Sequence, residues 1–225
     1  KKKKIFNNKF DCKNSKDVIA EIFYVVSSAL ASQNNYTGSN FYLNFAKYLN
    51  PNFASYDTLY ANNLFFSQEY VEAKNTYIEI KKKGSAYNWH ASKQIASIFI
   101  KQKKKEEAVN SLKKSFEKIK DTTTYEIFDY AEFLKNNEKY EESIKHYSEV
   151  LSLIEIKDDL YVQVMDGRGV AYERTNQWKK AEIDLLKSLS ILPDNAYTIN
   201  YLAYSWIEKG IKIEKSLEML RKANK

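Results

Sequence analysis

The run Gly169-Val170-Ala171-Tyr172, then Trp178-Lys179-Lys180-Ala181, then Ile191-Leu192-Pro193, holds two small residues, Gly169 and Ala181, twelve positions apart. Bulky residues keep fixed places around them. Tyr172 stands three after the first, Trp178 three before the second, and Leu185 four after the second. Offsets of three and four put such side chains on one face of a helix. A small residue on each of two helices lets their backbones approach, and the bulky neighbours fill the space around the crossing. The run reads as a helix hairpin, ended by a Pro that cannot continue a helix.

The same pairing recurs outward in both directions: Ser27 and Ser39, Ala61 and Ala73, Ala96 and Ala108, Ala131 and Ser143, then Ala203 and Ser216. The second members step by 34, 35, 35, 38 and 35 residues, so one connection, near Lys157 to Leu160, is slightly longer. Bulky residues follow in register. Leu30, Leu64, Phe99, Leu134, Tyr172 and Trp206 come three after the first small residue. Leu43, Tyr77, Leu112, Tyr147, Leu185 and Leu220 come four after the second. A period of this size means stacked supersecondary units, each burying what one hairpin alone cannot.

Composition agrees. Five Gly and two Pro among 225 residues leave too few breakers for a turn-rich β-sandwich. The apolar runs are too short to span a membrane. The net charge of +7 suggests nucleic acid, yet only Arg168, Arg174 and Arg221 are arginines, and the lysines are interleaved with 29 acids. Phosphate and base-edge recognition favours the Arg fork, so the lysines read as solvated helix faces and no nucleic-acid partner is expected. Cys12 is the single cysteine, which excludes an intrachain disulfide. His90 and His146 are too isolated for a metal site, and no cofactor is expected. Asn35-Tyr36-Thr37 matches a glycosylation sequon, a pattern short enough to arise by chance.

The hairpin pattern resembles the tetratricopeptide repeat family over about residues 20–225. Ala171-Tyr172-Glu173-Arg174 and Asn200-Tyr201-Leu202-Ala203-Tyr204-Ser205-Trp206 are similar to distal repeats of long bacterial members. The resemblance implies an all-α, right-handed superhelix of about six hairpins, at about 20–53, 54–88, 89–123, 124–161, 162–195 and 196–225. A Lys- and Asn-rich segment, 1–19, precedes them and reads as a solvated linker or frayed repeat. The chain begins on Lys1, and no polar capping helix follows the last hairpin, so the array reads as part of a longer one. The bacterial resemblance implies a periplasmic or membrane-anchored setting over a cytoplasmic one, with any signal upstream.

In the family the first helix of each hairpin lines a concave groove, through residues one after and three before its small residue. The resemblance places Ser28, Asn62, Ser97, Glu132, Val170 and Tyr204 there, with Tyr24, Thr58, Lys93, Phe128, Asp166 and Asn200. Phe65, Phe66, Lys101 and Arg174 lie a turn further on, and Tyr125 stands as a further aromatic anchor. Tyr24, Asn62, Phe65, Phe66, Lys93, Lys101, Tyr125, Phe128, Glu132, Asp166, Arg174 and Tyr204 are the candidate partner contacts. Aromatic and Arg side chains tend to dominate interface energetics, which suits a protein or peptide partner. Arg168 stands where the family is usually apolar and reads as a paired Arg at a repeat junction, since an unpaired buried charge is too costly. Family members that grip a C-terminal carboxylate use Lys and Asn on three consecutive first helices; only Asn62 and Lys93 match that chemistry.

These features describe a non-catalytic scaffold or adaptor. No Ser-His-Asp, Cys-His or glycine-rich phosphate motif is present. A docking arm for an enzyme whose catalytic domain lies outside these residues is the alternative, followed by an RNA-binding helical repeat. Self-association through the exposed terminal repeat is a further expectation.

Overall fold

The small residues set the architecture. In the computed structural model, which describes residues 10–51 and 53–223, every one of the twelve is buried, and the eleven that carry a side chain are at 0% exposure. Among the described residues the chain forms twelve α-helices and no strand. They pair as hairpins: α1 (Ser15–Ser32) with α2 (Tyr36–Leu49), α3 (Ala54–Phe66) with α4 (Tyr70–Lys82), and α5 (Ser85–Lys101) with α6 (Lys105–Phe116). Then come α7 (Thr124–Asn136) with α8 (Tyr140–Leu153), α9 (Tyr161–Arg174) with α10 (Trp178–Ile191), and α11 (Ala196–Glu208) with α12 (Ile213–Ala223). The all-α, six-hairpin expectation holds. Residues 1–9 of the expected N-terminal segment lie outside the described residues, and α1 begins inside its remainder, at Ser15.

The contacts divide the chain into two units, 1–118 and 119–225. The expected long connection is the link 154–160. A second link of the same length, 117–123, falls at the unit boundary. It left no mark on the repeat step because α6, at 12 residues, is shorter than α8, and the preceding step is lengthened by α5, at 17 residues. Thr123 begins α7 with a capping box: its hydroxyl accepts from the Glu126 N–H, and Glu126 accepts from the Thr123 N–H.

One turn geometry closes all six hairpins. In the fourth, the Lys139 N–H donates to the Leu134 carbonyl at 2.9 Å and the Glu138 N–H to Lys135 at 3.0 Å. The longer bond ends in each hairpin on the bulky residue three past the small one, from Leu30 to Trp206. This is the Schellman closure, which needs a left-handed residue at its corner. Gly210 supplies it in the sixth hairpin, at φ 67°. The other corners are Asn34, Gln68, Lys103, Glu138 and Asn176, at φ 60° to 64°. The scarcity of glycine thus comes at a conformational cost in the turns.

Packing follows the register. In unit 1, Ala20, Leu43, Ala46 and Tyr56 form one cluster, and Ala61, Tyr77, Ile80, Ala91, Ile95 and Ile98 belong to the next. In unit 2, Leu185, Leu202 and Trp206 are fully buried together. Each large apolar side chain so enclosed contributes roughly 1.5–3 kcal/mol. Arg168 is paired, as expected. Its Nε and Nη2 donate to the two Asp184 oxygens at 2.7 and 3.0 Å, and Nη1 donates to Ser148 Oγ at 3.0 Å. One guanidinium on α9 therefore ties α8 to α10, and burial of its charge is offset by a bidentate partner.

Candidate functional site

Two of the expected groove residues are held from behind by a buried tyrosine. Tyr77 Oη donates to Asn62 Oδ1 at 2.5 Å, and Tyr147 Oη donates to Glu132 Oε1. The register is identical in both: the acceptor stands one after the first small residue and the tyrosine four after the second. Hairpins with Leu at the tyrosine position carry Ser28, Ser97, Val170 or Tyr204 at the acceptor position. The chain thus supplies an amide or carboxylate acceptor only where it supplies the tyrosine, a signal present in the sequence and missed there. Both tyrosines are at 0% exposure, and burial pushes both hydroxyls well above the usual range. For Tyr147 the Glu132 charge adds to that shift. Gly167 lies over this pair; a Cβ there would meet Tyr147 Oη at 2.5 Å.

In unit 2 the candidate residues stand on α7, α9 and α11. Helix α7 brings Tyr125, 62% exposed, with half-buried Phe128, whose ring lies 6.3 Å from that of Tyr147. Glu132 is also paired with Lys135, at 2.9 Å to each oxygen. Helix α9 touches α7 and faces α11 across a cleft of about 350 Å³. Its lining is Glu173, Arg174, Tyr197, Asn200, Tyr201, Tyr204, Ser205 and Glu208. Tyr197 and Tyr204 are 54% and 60% exposed, while half-buried Tyr201 donates to Glu173 Oε2 at 3.1 Å. Burial and the Glu173 charge push the Tyr201 hydroxyl upward. Rings with hydroxyl edges, one exposed guanidinium and flanking carboxylates meet here. Such a face can stack on apolar groups and bond peptide carbonyls or amides.

Two expectations for this face need correction. Asp166 and Val170 are buried, at 7% and 8% exposure. Asp166 Oδ2 accepts from Asn195 Nδ2 at 3.0 Å and so serves the junction with α11. Its other oxygen is enclosed near the Ser188 and Thr198 hydroxyls, outside hydrogen-bonding geometry to either. Burial raises its pKa, only partly countered by these neighbours and by the Lys135 charge.

In unit 1 the candidate residues are more dispersed. Tyr24 packs its ring 5.3 Å from Tyr56 and 6.4 Å from Phe53, inside the α1–α3 cluster. Phe65 is half-buried against Tyr70, whereas Phe66 is 60% exposed and stacks on Tyr36 at 5.9 Å. Lys93 is half-buried on α5 and Lys101 is exposed at its end. A cleft of about 700 Å³ opens instead between α4 and α6. It has Ile78, Ile95 and Phe99 at its base and Lys74, Lys81, Lys82 and Lys114 around it. Sequence reasoning missed it because its apolar base is divided between α4 and α5 and its rim is lysines, which read as solvated charge.

No group of His, Cys, Asp and Glu that could hold a metal occurs among the described residues, and no helix there is long and apolar enough to cross a membrane. His90 Nε2 is enclosed without a partner, and burial together with Lys93 lowers the ring's pKa. His146 Nδ1 lies 3.2 Å from Glu149. Cys12 is exposed.

No protein-family model matches the chain, and no curated protein matches it in sequence. Solved structures do match. A tetratricopeptide repeat protein from Parabacteroides merdae superimposes with a TM-score of 0.65 at 12% identity, over 91% of this chain and 78% of that one. Nearly identical tetratricopeptide-like repeats of a putative kinesin light chain from Podospora anserina give 0.60 at 10%, over 76% and 94%. YrrB, described as a tetratricopeptide repeat protein with an unusual peptide-binding site, gives 0.51 at 19%, over 83% and 92%. These likenesses show a tetratricopeptide-type fold.

Proposed function

We propose that this tetratricopeptide-type chain is a non-catalytic scaffold that receives a peptide or protein segment on the inner face of unit 2. The observation that carries the reading is the α9–α11 cleft, where Arg174, Tyr197 and Tyr204 stand exposed beside Asn200. Tyr125, Phe128 and Glu132 extend that surface along α7. The aromatic anchors offer large contact area at small entropic cost, and the amide and charges fix direction. The peptide-binding site of YrrB, a structural neighbour, supports the same reading. A protein partner with no nucleic acid follows from this lining, in which carboxylates stand beside a single guanidinium.

The test is a displayed-peptide selection against the intact chain, followed by titration of the best binder into Tyr204→Ala and Arg174→Ala. Each substitution is expected to weaken Kd roughly 10-fold, as anchor truncations of about 1–2 kcal/mol do, with the helical circular-dichroism signal unchanged. Unaltered affinity in both variants would reject the site.

A further inference from the structure

The first hairpin exposes a face whose counterpart in the second hairpin is covered. Phe53, Tyr56, Leu59 and Tyr60, which stand eight, five, two and one positions before Ala61, pack into the cluster formed with α1 and α2. The same positions before Ser27 in α1 hold Ile19, Ile22, Val25 and Val26. All are apolar, yet Ile19, Ile22 and Val25 are 43%, 57% and 59% exposed, where Tyr56 is at 1%. By the repeat's own register, α1 presents a helix-packing face with no helix of this chain, among the described residues, upon it.

Helix α2 extends the face. Two, six and nine residues past Ser39 it carries Phe41, Phe45 and Tyr48, at 57%, 45% and 85% exposure. At the same places the second hairpin carries Asn75, Glu79 and Lys82, and α6 carries Asn110 and Lys114 with Glu117 at its C-cap. Ring contacts make the two helices' contributions continuous: Phe45 lies 5.5 Å from Phe23 of α1 and 5.1 Å from Phe41. Moreover, residues 22–46 contain no Asp, Glu, Lys or Arg, in a chain that is 29% charged.

We propose that this face is a homodimer interface, in which the first hairpin of one copy packs on the first hairpin of another about a two-fold axis. Area and charge select this occupant. The large apolar residues left open on α1 and α2 amount to on the order of 800 Å², one partner's share of a standard interface and more than a monomer's usual largest patch. A two-fold contact sets the same surface against itself, which costs nothing where that surface is uncharged. Helix α12, the other candidate, interrupts its exposed Ile213 and Leu217 with Glu214, Lys215 and Glu218, so it would bring charges onto an apolar face. The proposal is independent of the α9–α11 reading. It would make the scaffold bivalent, with the avidity that follows.

Sedimentation and light scattering of the intact chain test it. Over about 1 to 100 μM, a range in which mass action resolves typical dimers, the mass should approach twice 26.4 kDa. Ile22→Glu with Phe45→Glu should weaken association at least roughly 100-fold, since two charges would be buried per copy without partners. Circular dichroism checks that this variant folds. Should it not fold, backbone exchange of the unaltered chain decides: residues 18–29 and 41–48 should exchange more slowly as concentration rises. A monomer throughout the range, concentration-independent exchange there, or a dimer abolished by Leu217→Glu would each overturn the proposal.

Discussion

Two, six and nine residues past its small residue, α2 carries Phe41, Phe45 and Tyr48, while α8 carries Lys145, Glu149 and Ser152. Inside, the order is reversed. The first hairpin sets Leu43 opposite Ser28, and the fourth sets Tyr147, hydrogen-bonded to Glu132. Ser39 and Ser143 are equally buried, so both hairpins cross on the same register. The difference teaches that the small-residue spacing decides which face is inside. The residues between decide what each remaining face is for. The first hairpin is apolar outside; the fourth is charged outside and carries a hydrogen-bonded Tyr147–Glu132 pair within.

The comparison extends to the helix that follows each hairpin, and there the largest effects are expected. Asp57 on α3 is buried, which alone would raise its pKa, but Lys47 and Lys83 both donate to it and hold the carboxyl below its ordinary value. Its contribution is present above the unfolded carboxylate pKa and is lost as pH falls through the folded value. Asp166 on α9 has the opposite sign: its raised pKa means stability falls as pH rises from the unfolded value through the folded one. At pH 7 Asp57→Asn should therefore cost roughly 2 kcal/mol, the scale of hydrogen bonds to a charged group, and Asp166→Asn should stabilise. Both differences should shrink by pH 3–4, where model carboxylates protonate. Tm measured across that range checks the pair; equal signs would break the contrast.

A smaller effect, about 1–2 kcal/mol, is expected from Tyr147→Phe, which leaves a partly buried carboxylate oxygen without its hydroxyl donor. Leu43 in the first hairpin has no polar bond to lose. Urea unfolding of Tyr147→Phe and Tyr77→Phe should give losses of similar size, because Tyr77 supports Asn62 in the same register. The smallest effect concerns the turns. Glu138→Gly should stabilise by about 0.5–1 kcal/mol, since a Glu at positive φ is strained. Asn34→Gly should change little, because Asn tolerates that region. Chemical denaturation of both variants measures the difference.

The fold was legible because one physical demand, close backbone approach, recurs at fixed spacing and admits few residue types. Ser27 through Ser216 could be named from spacing alone. The turn corners could not, since Gln68, Lys103 and Glu138 have no preference for positive φ and are forced there by the packed helices on either side. The link 117–123 was hidden by the short α6. The candidate site was legible only in part. Offsets from the small residue name Tyr204 and Arg174, which line the α9–α11 cleft, but they do not tell which of the named residues are buried. Val170 is buried, and the hydrogen bond from Asn195 makes Asp166 a junction residue. The lysine-rimmed cleft between α4 and α6 escaped notice because its apolar base comes from Ile78 on one helix and Ile95 and Phe99 on another.

The most direct measurement is backbone hydrogen exchange of the intact chain, with and without a saturating selected peptide. Slowed exchange concentrated in α9 and α11, around Glu173–Arg174 and Tyr197–Glu208, is the expected result. Protection confined to α4 and α6, around the Lys74–Lys114 cleft, or no local protection on binding, would contradict the assignment of the inner face of unit 2 as the partner site.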